Sequence, residues 1–325
     1  MAVNRAAPAQ VPAPARPTLT PDLFQPAPVA ASEAEAIVRP SLTFWQDAWI
    51  RFRANRLAML GLVLLIFMAL GAIFGPILSF HLQGHTFDYQ DYANINKPPS
   101  AQFWFGTDQI GRDLFTRVWM GGRISLFIGI VAALLELIIG VLYGGISGYL
   151  GGRVDEIMMR IIDILYGIPY LLLVILLLVV MNPGLPTIIL AMGMTGWVGM
   201  ARLVRGQILQ LREMEFVLAA RVLGVPTMAL ILRHLVPNVM GPIIVSLTLT
   251  VPGAIFGEAF LSFIGLGVPP PRASWGTLIN EAYTVMRIWP WQFAFPALAL
   301  SITMFAFNAV GDGLRDALDP RLRAR

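Results

Sequence analysis

The sequence has no cysteine and a single lysine, and only 13% of its 325 residues are charged. The first absence excludes disulfides and thiolate metal sites. The second excludes a phosphate-binding loop of the Gly-x4-Gly-Lys-Ser/Thr type, because Lys97 stands in Asn96-Lys97-Pro98-Pro99. Nucleotide hydrolysis by this chain is therefore not expected, and neither is a cofactor. The third shortage excludes an ordinary soluble domain, in which about 25% of residues carry charge. At 57% hydrophobic, with apolar runs too long for core helices, the chain is an all-α polytopic membrane protein. The net charge of +4 does not point to nucleic acid, because the basic residues gather at the ends of the apolar runs.

Residues 1–40 are rich in Pro and Ala and hold no apolar run, which reads as a disordered tail and not a cleavable signal. Residues 41–56 read as an amphipathic helix on the membrane lipid surface, with Trp45, Trp49 and Phe52 on one face and Arg51, Arg53 and Arg56 supplying charge. From 57 to 325 the chain reads as one membrane domain. At about 20 residues per crossing, six spans fall near 57–80, 124–150, 161–181, 185–204, 238–258 and 291–311. Pro169 and Pro252 are expected to kink the third and fifth.

With the N-terminus inside, the inner segments hold seventeen of the twenty-three basic residues, so both termini are expected in the cytoplasm. A five-span alternative, with the glycine-rich fourth run lying in the interface, would strand the basic loop outside. The outer loop 81–123 carries Asp108, Arg112 and Asp113, which are placed to pair with one another. The outer stretch 261–268 is too short to span. Gly311 and Gly313 are expected to stop the last helix.

Candidate chemistry is sparse. His81 and His85, with Asp88 and Asp91 nearby, read as polar residues where a helix leaves the membrane, and no metal site is expected. Glu136 lies in the middle of a span; a carboxylate there faces the bundle or a wet cavity and marks a pathway by default. Asp163 and Glu258 lie nearer the span ends and read as interfacial.

The stretch 202–237 is the organising element. It is flanked by apolar runs yet carries five arginines and two glutamates. Glu213 and Glu215 suit a helix N-terminus and Arg221 its last turn. Gly224 suits the left-handed stop, and Pro226 blocks continuation. Phe216, Ala219, Ala220 and Leu223 fall on one side, with two small residues that let another surface approach. Pro237 begins the next long run.

This loop, with Ala219-Ala220, Gly224 and Pro237, resembles the cytoplasmic E-A-A-x3-G-x9-I-x-L-P loop of ABC importer permeases. Leu218, His234 and Val236 replace the pattern's Glu, Ile and Leu. Four further blocks (44–65, 105–118, 266–279 and 308–323) are similar to the C-type permease subunit of dipeptide/oligopeptide importers, a type I importer permease fold. The resemblance implies a heterodimer with a second permease, two cytoplasmic ATP-binding subunits and an external peptide-binding protein. It also implies that Glu215, Phe216, Ala219, Ala220, Arg221, Gly224 and Pro237 form the element that couples to an ATPase. Relatives that carry nickel or glutathione look alike. A different class, the secondary ion-coupled transporter, would need coupling residues near the midplane, for which Glu136 is the candidate.

Overall fold

The computed structural model of the protein describes residues 42–319, so the tail read over 1–40 lies outside the described residues. Every regular element among the described residues is helical, apart from one bridge between Thr107 and Asp113. From Phe44 onward these elements belong to one compact unit.

Helix α1 (Phe44–Ala54) ends at Asn55, whose side-chain oxygen accepts the N–H groups of Leu57 and Ala58 and so starts α2 (Arg56–Gln83). The expected aromatic face of α1 is divided: Trp45 and Trp49 are exposed, whereas Phe52 is buried with Ala58 and Val310. Gly84 closes α2 in the left-handed conformation (φ 74°).

Helix α3 (Leu114–Leu150) begins ten residues before the expected start of the second span, at Asp113, whose carboxylate accepts the Thr116 N–H at 2.8 Å. Arg117 and Arg123 hid this extension in the sequence. Both are held by protein groups, Arg117 by Asp108 and Glu281, and Arg123 by the carbonyls of Ala72 and Ile73.

The expected single third span is two helices, α4 (Gly152–Gly167) and α5 (Tyr170–Met181), meeting at 82°. Ile168 is extended, as the residue before a proline tends to be, and Pro169 lacks the N–H needed to continue α4. The fourth span is α6 (Leu185–Thr195) followed by α7 (Trp197–Leu211). Its glycines do not dissolve it, because its neighbour supplies an unusually close surface. A Cβ on Gly144 of α3 would lie 2.3 Å from the Ala201 carbonyl oxygen, and one on Gly148 would lie 2.9 Å from that of Arg205. A stripe of small residues lets two backbones meet where lipid gives no hydrophobic drive.

After a loop, helix α8 (Glu215–Val222) and short helical pieces lead into α9 (Met240–Phe263), which runs on through Pro252. Helix α10 (Trp275–Tyr283) is short, and α11 (Pro290–Leu318) is long. Gly311 and Gly313 do not stop α11: it continues past both. Their role is packing, since a Cβ on Gly313 would lie 2.2 Å from that of Ala58. Among the described residues, five helical stretches are long and apolar enough to cross a membrane, and six if the bent α4–α5 pair is one crossing. Helix α3 is the hub, with α2, α7, α9 and α10 all packed on it.

Candidate functional site

The loop between α7 and α9 is held to the bundle by one face of α8. Val217 (0% exposed) and Ala220 (8%) point inward and join Ile208 of α7 and Ile243 of α9 in one cluster. Phe216, Ala219 and Leu223 face outward, with Val222 and Leu223 exposed at 87% and 83%. The two alanines therefore part company: Ala219 is on the open surface, and Ala220, expected beside it, anchors the helix. Helical spacing allows either, because the two flank the direction set by Phe216 and Leu223.

The ends of α8 form as their residues dictate. Glu215 is the first helical residue, while Glu213 stays outside and pairs with Arg212 at 2.9 Å. Gly224 has φ 76°; its N–H donates to the Arg221 carbonyl, and that of Val225 donates to Ala220. Arg221 lies over the Tyr149 ring, 5.4 Å from its centre, which ties α8 to the end of α3. Pro237 does not begin the next run: helical turns start upstream at Thr227, widen over Ile231–Leu235, and include Pro237 in the short piece Val236–Asn238.

A second tie lies close by. Arg205 of α7 donates through Nε and Nη2 to the two carboxylate oxygens of Asp155, at 2.5 and 2.6 Å, and Ser147 also donates to Asp155. Asp155 lies in the first turn of α4, so this pair ties the start of that helix to α7.

Further along α7, a cavity of about 650 Å³ opens beside Glu136. Its walls come from the α4–α5 break (Pro169, Tyr170), the α6–α7 junction (Gly196, Val198) and α9 (Thr250, Gly257). Glu136 is pressed against the junction so closely that a Cβ on Gly196 would lie 2.1 Å from its Oε1. The Tyr170 hydroxyl is buried and has no hydrogen-bond partner.

Glu258, read from the sequence as lying near a span end, does not face outward. It is wholly buried, accepting hydrogen bonds from Ser262 at 2.5 Å and Ser125 at 3.2 Å. Ser262 accepts in turn from Ser274, and Ser125 from the Trp275 N–H, so the start of α10 is fastened to α3 and α9. Asp163 is on the surface, 2.9 Å from Arg202. At the same end as α10, Arg112 and Arg117 both meet Asp108 at 2.6 Å and reach Glu281 at 3.1 and 2.8 Å. The expected pairing of Asp113 is replaced by its capping of α3. Among the described residues no group of three or more metal-type side chains converges, and His85 stacks on Phe103.

Sequence reading missed Tyr170, Gly196 and Thr250 as neighbours of Glu136. Only the Pro169 break and the run Gly193, Gly196, Gly199 hinted at a disturbed region there.

Comparison with known proteins agrees with this architecture. The family model for a binding-protein-dependent transport system inner membrane component matches residues 140–324. The model for the N-terminal TM domain of oligopeptide transport permease C matches residues 43–99. The chain is 56% identical over 304 residues to the oligopeptide transport system permease protein OppC of Bacillus subtilis (strain 168), covering 93% of this chain and 98% of that one. It is 56% identical over 292 residues to the same organism's dipeptide transport system permease protein DppC, covering 90% of each. With OppC of Escherichia coli (strain K12) it shares 47% identity over 283 residues, 86% of this chain and 92% of that one. The fold is similar to a chain of the MetNI methionine ABC transporter in an inward-facing conformation, with a TM-score of 0.50, 16% identity, and coverage of 61% of this chain and 94% of that one. The helical bundle, its crossing stretches and these matches over nearly all of its length make the chain a member of the binding-protein-dependent transport permeases, in the branch of C-type subunits.

Proposed function

We propose that this chain is the membrane subunit of an ATP-driven importer of dipeptides or oligopeptides, with both termini in the cytoplasm of a bacterial cell whose inner membrane it crosses. It forms a path with a second, different permease. Two ATP-binding subunits work it from the cytoplasm, and a peptide-binding protein delivers solute from outside. The names of the similar proteins support the peptide class. The basic residues near the α8 end support the orientation.

One observation carries the mechanism: the two helices that lead into and out of the α8 loop are also walls of the Glu136 cavity. Upstream, α7 contributes Val198; downstream, α9 contributes Thr250 and Gly257. Between them, Val217 and Ala220 sit in one packed cluster with Ile208 and Ile243. Packed interiors transmit displacement and do not absorb it. A push on the outward face of α8, around Ala219 and Leu223, therefore moves α7 and α9 together and reshapes the cavity. Each state of the path is then favoured by a partner's differential binding, nucleotide-loaded subunits on one side and loaded receptor on the other. An ion-driven carrier would have no use for such an outward knuckle.

The test is ATP-dependent peptide uptake by the complete complex in proteoliposomes. Ala219→Arg puts a long cation on the outward face. A Cβ at Gly224 would meet no atom within 4 Å, so Gly224→Val acts first through backbone strain at the positive φ, about 1–2 kcal/mol. Both variants insert in the membrane and lose uptake. Uptake at the unmodified rate by both would contradict the proposal.

A further inference from the structure

We propose that the Glu136 cavity is a transient subsite for the cationic amino group of the transported solute, with Glu136 as its counter-ion and the Tyr170 hydroxyl as a neutral partner. The inference rests on the transport-path reading above and gives that path a chemical preference.

Four observations lead to it. First, about 650 Å³ falls within the roughly 300–1,000 Å³ of small-ligand sites. Second, Glu136 is the only charged side chain among the residues lining the cavity; no Arg, Lys or His shares its walls. The nearby cation Arg202 is already engaged, paired with Asp163 at 2.9 Å and lying 4.9 Å from the centre of the Tyr166 ring. An ionised carboxylate away from bulk water is costly, and the cost is relieved by taking up a proton or by a cation coming to it. An ammonium group supplies that cation, and a carboxylate is repelled.

Third, the Tyr170 hydroxyl is buried in the same wall with nothing to bond, a vacancy that a polar ligand group fills. Fourth, the site has room where it is needed and is fixed where it must be. A Cβ on Gly253 would meet nothing within 4 Å, so that wall is open, while the missing side chain of Gly196 lets Glu136 lie hard against the α6–α7 junction. The contrast with Glu258 is informative, because there serine hydroxyls occupy the carboxylate and leave no place for a ligand.

One carboxylate and a few hydroxyls make a weak site, which suits a path: a solute must enter it and also leave. The walls beyond these groups are mostly apolar or glycine, so the remainder of the solute is held without regard to its side chains. The subsite therefore reads the amino terminus and tolerates variety beyond it.

The experiment uses the purified complete transporter and two probes that differ only at the amine, leucinamide and N-acetylleucinamide, with binding read by saturation-transfer NMR. The wild type binds leucinamide in preference to its acetylated form. Glu136→Gln weakens leucinamide binding about tenfold, the scale of one charge-assisted hydrogen bond, and leaves N-acetylleucinamide unchanged. Tyr170→Phe weakens leucinamide about threefold, the scale of one neutral hydrogen bond, and tests the site without touching its charge. The proposal is overturned if the wild type treats the two probes alike, or if Glu136→Gln leaves the preference intact. Receptor-fed uptake of peptide is measured in parallel. A wild type that prefers leucinamide yet imports no peptide would leave the amine subsite standing and remove the peptide reading alone.

Discussion

Two glutamates of the membrane bundle, Glu258 and Glu136, have the same functional group in opposite surroundings. Glu258 is wholly enclosed, with Ser125 and Ser262 bonded to it and Ser274 and Trp275 attached to those serines. Glu136 is only partly covered and faces a cavity in which no cation stands beside it. The first carboxylate is saturated by its own protein and joins α3, α9 and α10. The second is left with capacity to spare. What separates the two carboxylates is thus the supply of fixed donors around each, not its depth along a span.

Three substitutions sharpen that contrast, from strong to weak. Glu258→Ala strands serine hydroxyls in a dry interior and opens a hole beside Trp275. The expected loss of stability is at least about 2 kcal/mol, read as a lower unfolding midpoint of the detergent-solubilised protein. An unchanged midpoint would mean that the serine node contributes nothing. Ser262→Ala removes one donor and leaves Ser125 in place, so the expected loss is smaller, about 1 kcal/mol, by the same measurement. Glu136→Gln keeps the shape of the side chain and one acceptor oxygen, and leaves the midpoint within about 0.5 kcal/mol of the wild type. A loss at Glu136 as large as that at Glu258 would erase the distinction.

Much of the architecture could be read from the chain alone. Long apolar runs separated by charged or proline-rich stretches identify the crossings, and the loop with Ala219, Ala220 and Gly224 identifies the family resemblance. What was not legible has physical reasons. The early start of α3 is masked by Arg117 and Arg123, which reach Glu281, 164 residues away, and Ala72, 51 residues away in the chain. Gly311 and Gly313 look like stops in sequence, but a glycine that admits a neighbouring helix has the same letter as one that ends its own. Ala219 and Ala220 are adjacent and identical in type, so only the packing of Val217 decides which of them faces inward. The Glu136 cavity is assembled from two separate breaks in the chain and the side of the continuous helix α9, and its volume has no local signature at all.

The account depends on the outward face of α8 being where the motor subunit grips. Because the sequence has no cysteine, one introduced at Leu223 is unique, and Leu223 is 83% exposed in this chain. The most direct measurement is zero-length to short-arm cross-linking from Leu223→Cys in the assembled complex. The account predicts a cross-link to the ATP-binding subunit whose yield changes with nucleotide. A Leu223→Cys that stays open to a water-soluble maleimide in the full complex and never cross-links to that subunit would contradict it.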